Sequence, residues 1–166
     1  MFIFADCGVI PQPSVDQLGS IAIEAAKVCR QLGSAKPRVA MLSYSTKGSA
    51  QTPDTEKIIA ATEIARDYFI DNNMDVEIDG ELQVDAALIH SVGERKLADS
   101  QVSGQANVLV FPDLNSGNIS SKLVHRLAGA QAYGQILMGL EKPAADLSRG
   151  ASVEEILGVA AIVGLL

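Results

Sequence analysis

Apolar residues in this chain follow two patterns in turn: short unbroken runs, and stretches in which they recur every three or four positions. The runs at residues 2–5, 38–44, 107–111 and 134–138 have the length and composition of strands buried on both faces. Between the first two, Leu18, Ile21, Ala22, Ala25, Val28 and Leu32 line one helical face, with Ser14 as its cap and Gly33 as its stop. A second helix, 54–72, repeats Ile58, Ala61, Ile64, Ala65 and Tyr68 on one side. Residues 74–82 are extended, with Val76 and Ile78 alternating against acids. Asp79-Gly80 suits a hairpin turn, but Asp85-Ala86-Ala87-Leu88-Ile89 has helical character, which favours a strand-to-helix passage. Residues 92–104 read as polar and irregular, 112–118 as a loop, and 119–127 as a helix. This alternation predicts a three-layer α/β fold: a mostly parallel sheet with helices on both faces and ligands at the carboxyl ends of its strands.

The last helix departs from the pattern. Ile156, Leu157, Val159, Ala160, Ile162, Val163, Leu165 and Leu166 leave it no polar side, and a helix apolar all round has to be covered all round. Either it is an ordinary buried terminal helix, or something outside these residues covers it. The chain also opens inside a strand, so the expectation is a partial protein.

Composition narrows the function classes. With 48% apolar and 20% charged residues, the 166-residue chain reads as globular, and the 4% aromatic share leaves a core of Ala, Val, Ile and Leu. A net charge of -7 argues against general nucleic-acid affinity, though a few focused cations suffice to hold an anionic small molecule. Cys7 and Cys29 have neither metal-site nor redox-motif spacing, which suits a reducing cytoplasm. Asp6 interrupts the opening apolar run before a signal peptide develops, and residues 156–166 are too short to span a bilayer, so no membrane partner is expected.

Candidate chemistry concentrates at residues 146–155, which combine Ser148, Arg149 and two carboxylates. Ser152 with Glu155 three residues later reads as a capping box, so a helix begins near Val153 with its amides toward the Ser148-Arg149-Gly150 turn. A helix N-terminus beside a guanidinium outlines an anion pocket. The same turn also occurs in proteins with no chemistry there, and spacing alone does not separate the two. The loops 43–49 and 112–118 each follow a strand. Lys47-Gly48-Ser49 lacks the first glycine of a Walker motif, and the Asn and Gly residues of the second loop also suit plain turns. Lys122 and Arg126 share a helix face, by default a solvated one. His90 and His125 have no ligand-like partners in sequence, and Cys7 reads as a small buried thiol.

Taken together, Phe4-Ala5-Asp6-Cys7-Gly8-Val9 with Pro11 and Pro13, the stretch 37–49, Asp79-Gly80-Glu81-Leu82-Gln83, the stretch 107–118 and the stretch 146–153 resemble, in order and spacing, the phosphate acetyltransferases. The resemblance runs over essentially the whole chain and is to the C-terminal half of that enzyme. It implies an isocitrate-dehydrogenase-like fold in which residues 2–135 form an inserted α/β domain and residues 136–166 return to a first domain that these residues lack. The over-apolar terminal helix would pack there.

The resemblance further implies reversible acetyl transfer between acetyl phosphate and coenzyme A, with coenzyme A as a substrate, no metal and no covalent acyl-enzyme. A base removes the thiol proton, the thiolate attacks the acetyl carbonyl, and fixed donors hold the oxyanion and departing phosphate. Carried over by position, Ser148 would stabilise the reacting phosphate or tetrahedral centre and Arg149 would hold acetyl phosphate. Glu155 falls where the family commonly has the Asp proposed as base, and Ala151 stands where relatives often have Cys. Arg126 matches an arginine associated with coenzyme A; Ser45, Lys47, Ser49, Asn115 and Asn118 are further candidates for lining the cleft. Little activity is expected from these residues without the other half, and a homodimer is expected. The competing readings are a non-catalytic acyl-CoA-sensing or dimerisation domain, and an acyltransferase of the phosphate butyryltransferase type.

Overall fold

A computed structural model describes residues 1–33, 35–97 and 99–166 of the chain. Four strands, β1 (Ile3–Ala5), β2 (Arg38–Leu42), β3 (Glu77–Leu82) and β4 (Val108–Val110), form one wholly parallel sheet in the order β1-β4-β2-β3. Register places Ile3 opposite Val108, Val39 opposite both Val108 and Ile78, and Ala40 opposite Leu109. Side chains alternate across a strand, and the core divides accordingly. Val39, Met41, Val108 and Val110 pack with Leu18, Ile58 and Phe69 from α1 (Val15–Gln31) and α2 (Pro53–Asp71). On the other face Ala40, Leu42, Leu109 and Phe111 meet Ala87 of α3 (Val84–Leu88) and Val102 and Ala106 beyond α4 (His90–Lys96). Burying each of the large side chains is worth roughly 1.5–3 kcal/mol, and this two-sided burial holds the sheet. The fold is therefore the expected α/β arrangement with helices on both faces.

Local chemistry sets the boundaries. Ser14 and Gln17 form a capping box at α1, and Gly33 ends it with φ +68°. Thr52 caps α2 and Pro53 occupies its first turn. A Cβ at Gly19 would lie 3.0 Å from Ile64 Cγ2, which shows how closely α1 and α2 approach. Gly80 is within β3 and not at a hairpin; a Cβ there would come within 2.6 Å of Met41 Cβ and 2.7 Å of Thr62 Oγ1. Close packing against β2 and α2 explains the glycine, and strand-to-helix is the correct reading of 74–89.

Three expectations need correction. Residues 92–104 are not wholly irregular, because α4 begins at His90. The 112–118 loop is mostly helix: Asp113 caps α5 (Leu114–Leu127) by accepting from Ser116 N at 2.9 Å, five residues ahead of the expected start. The run at 134–138 does not join the parallel sheet. Only β5 (Ile136–Leu137) is strand, paired antiparallel with β6 (Ala144–Ala145), and Gln135 and Asp146 exchange both backbone bonds at 2.9 Å to prolong the ribbon. The terminal helix α6 (Val153–Leu165) buries only Val159, while Leu157 and Leu165 are 65% and 69% exposed. Among the described residues, no helix is long and apolar enough to cross a membrane.

Candidate active site

Because the sheet is parallel, the loops after β1, β2 and β4 share its carboxyl edge. After β1, the Asp6 carboxylate accepts from the amides of Gly8, Val9 and Ile10 at 2.7, 3.0 and 2.7 Å. Asn118 of α5 donates to the Cys7 carbonyl at 2.9 Å, and Asn115 lies in the first turn of the same helix. Burial pushes the Cys7 thiol up to about 11, against a hydrogen bond with Ser121, so it is protonated at neutral pH.

After β2, the loop folds around a carboxylate. Glu81 is 1% exposed, and its Oε1 accepts from Ser45 Oγ and Gly48 N, each at 2.8 Å. Ser49 Oγ is 3.0 Å from Ser45 Oγ and accepts from Thr46 N at the same distance. Lys47, held at φ +46°, is paired with Asp79 and donates to the Gly80 carbonyl at 3.0 Å. Ser45, Lys47 and Ser49 thus spend much of their bonding capacity on their own loop.

The second grouping is built by α5, the segment after it and α6. The last turn of α5 carries His125 and Arg126. Ser152 and Glu155 close the capping box of α6: Glu155 N donates to Ser152 Oγ at 3.2 Å and Ser152 N to Glu155 Oε2 at 2.6 Å. Tyr133 packs on Gly158, where a Cβ would fall 2.3 Å from the ring. His125, Arg126, Tyr133, Gly150, Ser152 and Glu155 line a cleft of about 410 Å³. Its two sides meet where His125 Nε2 lies 3.6 Å from Glu155 Oε1. Hydrogen bonds from the backbone and side chain of Ser152, then the charges of His125 and Arg126, hold the Glu155 carboxyl below the usual carboxylate range. Ser148 and Arg149 are exposed on the turn entering this wall, with Ala151 N bonded to the Ser148 carbonyl at 2.9 Å. Among the described residues Arg149 has no ion-pair partner, and no three metal-ligating side chains converge.

Residues 1–164 match the family model described as phosphate acetyl/butaryl transferase. The chain belongs to this family. Among its relatives, the phosphate acetyltransferase of Acetivibrio thermocellus is 53% identical over 164 residues, which are 99% of this chain and 48% of that protein. The EutD phosphotransacetylase from Staphylococcus aureus superposes with a TM-score of 0.91 at 41% identity, covering 99% of this chain and 50% of that one. A phosphotransacetylase from Streptococcus pyogenes gives 0.89 at 44% identity, covering 99% and 48%. The chain spans about half the length of the curated relatives it matches.

Within this phosphate acetyl/butaryl transferase chain, Arg126 and Glu155 line one cleft, with Ser148 and Arg149 on the turn beside it. Ser45, Lys47 and Ser49 surround Glu81, next to a second cleft that shares no lining residue with the first. The sequence offers His125 no partner, whereas the structure sets it 3.6 Å from Glu155. Its signal was its place, one residue before Arg126 on a helix that the sequence begins five residues too late.

Proposed function

We propose that this chain supplies part of a phosphate acetyltransferase, which moves an acetyl group reversibly between acetyl phosphate and the thiol of coenzyme A in a ternary complex. The observation that carries the reading is the cleft in which Arg126, Ser152 and Glu155 meet beside the exposed Ser148-Arg149 turn, in a chain about half identical to proteins named phosphate acetyltransferase. A guanidinium free in solvent suits the phosphoryl oxygens of acetyl phosphate. Ser148 donates to the oxyanion or departing phosphate, and Arg126 draws the anionic coenzyme A to the opposite wall. The identities of 46–53% are all to proteins named for the acetyl group, which favours acetyl over a longer acyl chain.

Residues 2–135 in this reading form one α/β domain, and residues 136–166 belong to a neighbouring domain supplied by the rest of the protein. The separate β5-β6 ribbon and the thinly buried α6 support that division. The setting is cytoplasmic and the assembly a homodimer. The test is a chimera in which this chain replaces the matching 164 residues of the Acetivibrio thermocellus relative. Coenzyme A-dependent consumption of acetyl phosphate by the chimera, with little or none by the 166-residue chain alone, is the expected result. An inactive chimera, or full activity from the chain alone, counts against the reading.

A further inference from the structure

We infer that Tyr133 is a positioning residue for acetyl transfer: its ring, seated on Gly158, spaces the helix that carries Glu155 from the helix that carries Arg126; this rests on the acetyl-transfer reading above. Gly158 lies three residues after Glu155, about one turn further along α6, and a Cβ there would fall 2.3 Å from Tyr133 Cε1 and 2.5 Å from Cδ1. The ring therefore bears on the backbone of α6 directly, an approach that glycine permits. Its hydroxyl donates to Gln131 Oε1 at 3.2 Å, and Gln131 Nε2 donates to Glu154 Oε1 at 3.3 Å. The segment that leaves α5 thus touches α6 at Glu154 and at Gly158, on either side of Glu155 in the chain. The ring is still 39% exposed and lines the cleft together with Arg126 and Glu155, so it is a wall of the cleft and not a filling of the core.

The segment is fixed at its other end as well. Two residues on, Gln135 Nε2 donates to the Cys7 carbonyl at 3.4 Å, and its side chain fills the place where a Cβ on Gly8 would stand. Tyr133 is thus tied to the loop after β1 while its ring bears on α6. The two walls it spaces approach to 3.6 Å at His125 and Glu155. Arg126 is the group proposed above to draw coenzyme A, and Glu155 stands where the resemblance puts the base. A thiol held from one wall has to meet a group on the other, and a misplacement of about 1 Å costs on the order of 10²-fold in rate. α6 does little to fix that spacing by itself, since among the described residues it buries Val159 alone.

The test uses the chimera described above and reads kcat with KM for coenzyme A and for acetyl phosphate. Tyr133→Ala is expected to lower kcat by about 10–100-fold and to raise KM for coenzyme A by about fivefold. KM for acetyl phosphate stays within about twofold, because the Ser148-Arg149 turn moves with α6. A ring that served folding alone would lower the active fraction and leave both KM values where they were. Tyr133→Phe keeps the ring on Gly158 and holds kcat within about threefold of the parent. Gly158→Ala raises the helix propensity of α6 yet repeats the Tyr133→Ala pattern, because its methyl group displaces the ring. Combining the two changes adds little to either, as expected of residues that act through one contact. His90→Asn on α4 leaves all three constants unchanged. Tyr133→Ala and Gly158→Ala chimeras that both keep kcat and KM for coenzyme A within about threefold of the parent overturn the positioning role and leave acetyl transfer standing. A chimera with both residues intact that does not turn over acetyl phosphate overturns the two together.

Discussion

Asn118 Nδ2 donates to the Cys7 carbonyl at 2.9 Å, tying the first half of α5 to the loop after β1. One residue earlier, a Cβ at Gly117 would lie 2.1 Å from the Asp6 carbonyl oxygen. Glycine to alanine inside an exposed helix is normally worth up to about 1 kcal/mol of stabilisation. Here the sign reverses. Gly117→Ala is expected to lose about 1–3 kcal/mol through overpacking, and Asn118→Ala about 1 kcal/mol, both read from urea unfolding.

Glu81 anchors the loop after β2 from a buried position. Glu81→Ala removes the acceptor of the Ser45 hydroxyl, which is left with Ser49, and strands the Gly48 amide. It should cost about 2–4 kcal/mol by chemical denaturation, since two hydrogen bonds are lost and a buried donor is left unpaired. Glu81→Gln keeps the shape and should cost less. Equal losses in the two variants would show that volume matters there and hydrogen bonding does not.

The Cys7 thiol, pushed up to about 11, should alkylate slowly at neutral pH and faster as pH climbs toward that value; iodoacetamide kinetics in a Cys29→Ala background measure this. The folded state holds this proton more tightly than the unfolded chain. The associated stability is therefore complete below about 9.0, the ordinary thiol value, and lost as pH rises through about 11.

Glu155 runs the other way. Its folded value is depressed, first by Ser152. The stability it lends is present above the ordinary carboxyl range and lost as pH falls through the lowered value. Ser152→Ala should move the Glu155 carboxyl back up in a ¹³C-detected titration and cost about 1 kcal/mol as a lost cap.

Leu127 and Leu157 are 82% and 65% exposed. Leu127→Glu and Leu157→Glu should leave the unfolding free energy within about 0.5 kcal/mol, yet reduce self-association in light scattering, because the apolar faces of α5 and α6 are the surfaces they interrupt.

The parts of the fold legible from sequence are those where one force dominates. Val39 to Leu42 and Val108 to Phe111 are apolar on both sides of the pleat, so they read as buried strands without knowledge of their neighbours. Ser14 and Ser152 announce helices because a cap is a local bond. Asp113 is a cap of the same kind, but Asn115, Ser116 and Gly117 after it have weak helical preference, and tertiary contact with Asp6 and Cys7 decides the outcome. The β5-β6 ribbon was half visible, since two alanines give no strand pattern. At the candidate site Ser152 and Glu155 were readable as neighbours in sequence. The approach of His125 to Glu155 was not, because it depends on how α5 and α6 cross.

Ile3 and Val108 are paired across the sheet although most of the chain separates them. During synthesis β1 therefore waits for β4, its partner in this sheet, to leave the ribosome. At translation speeds of roughly 5–20 residues per second that delay is on the order of 5–20 seconds. α1, β2, α2 and β3 are free to condense in the meantime, so the edge that carries Asp6 and Cys7 is the last piece of the sheet to be assembled.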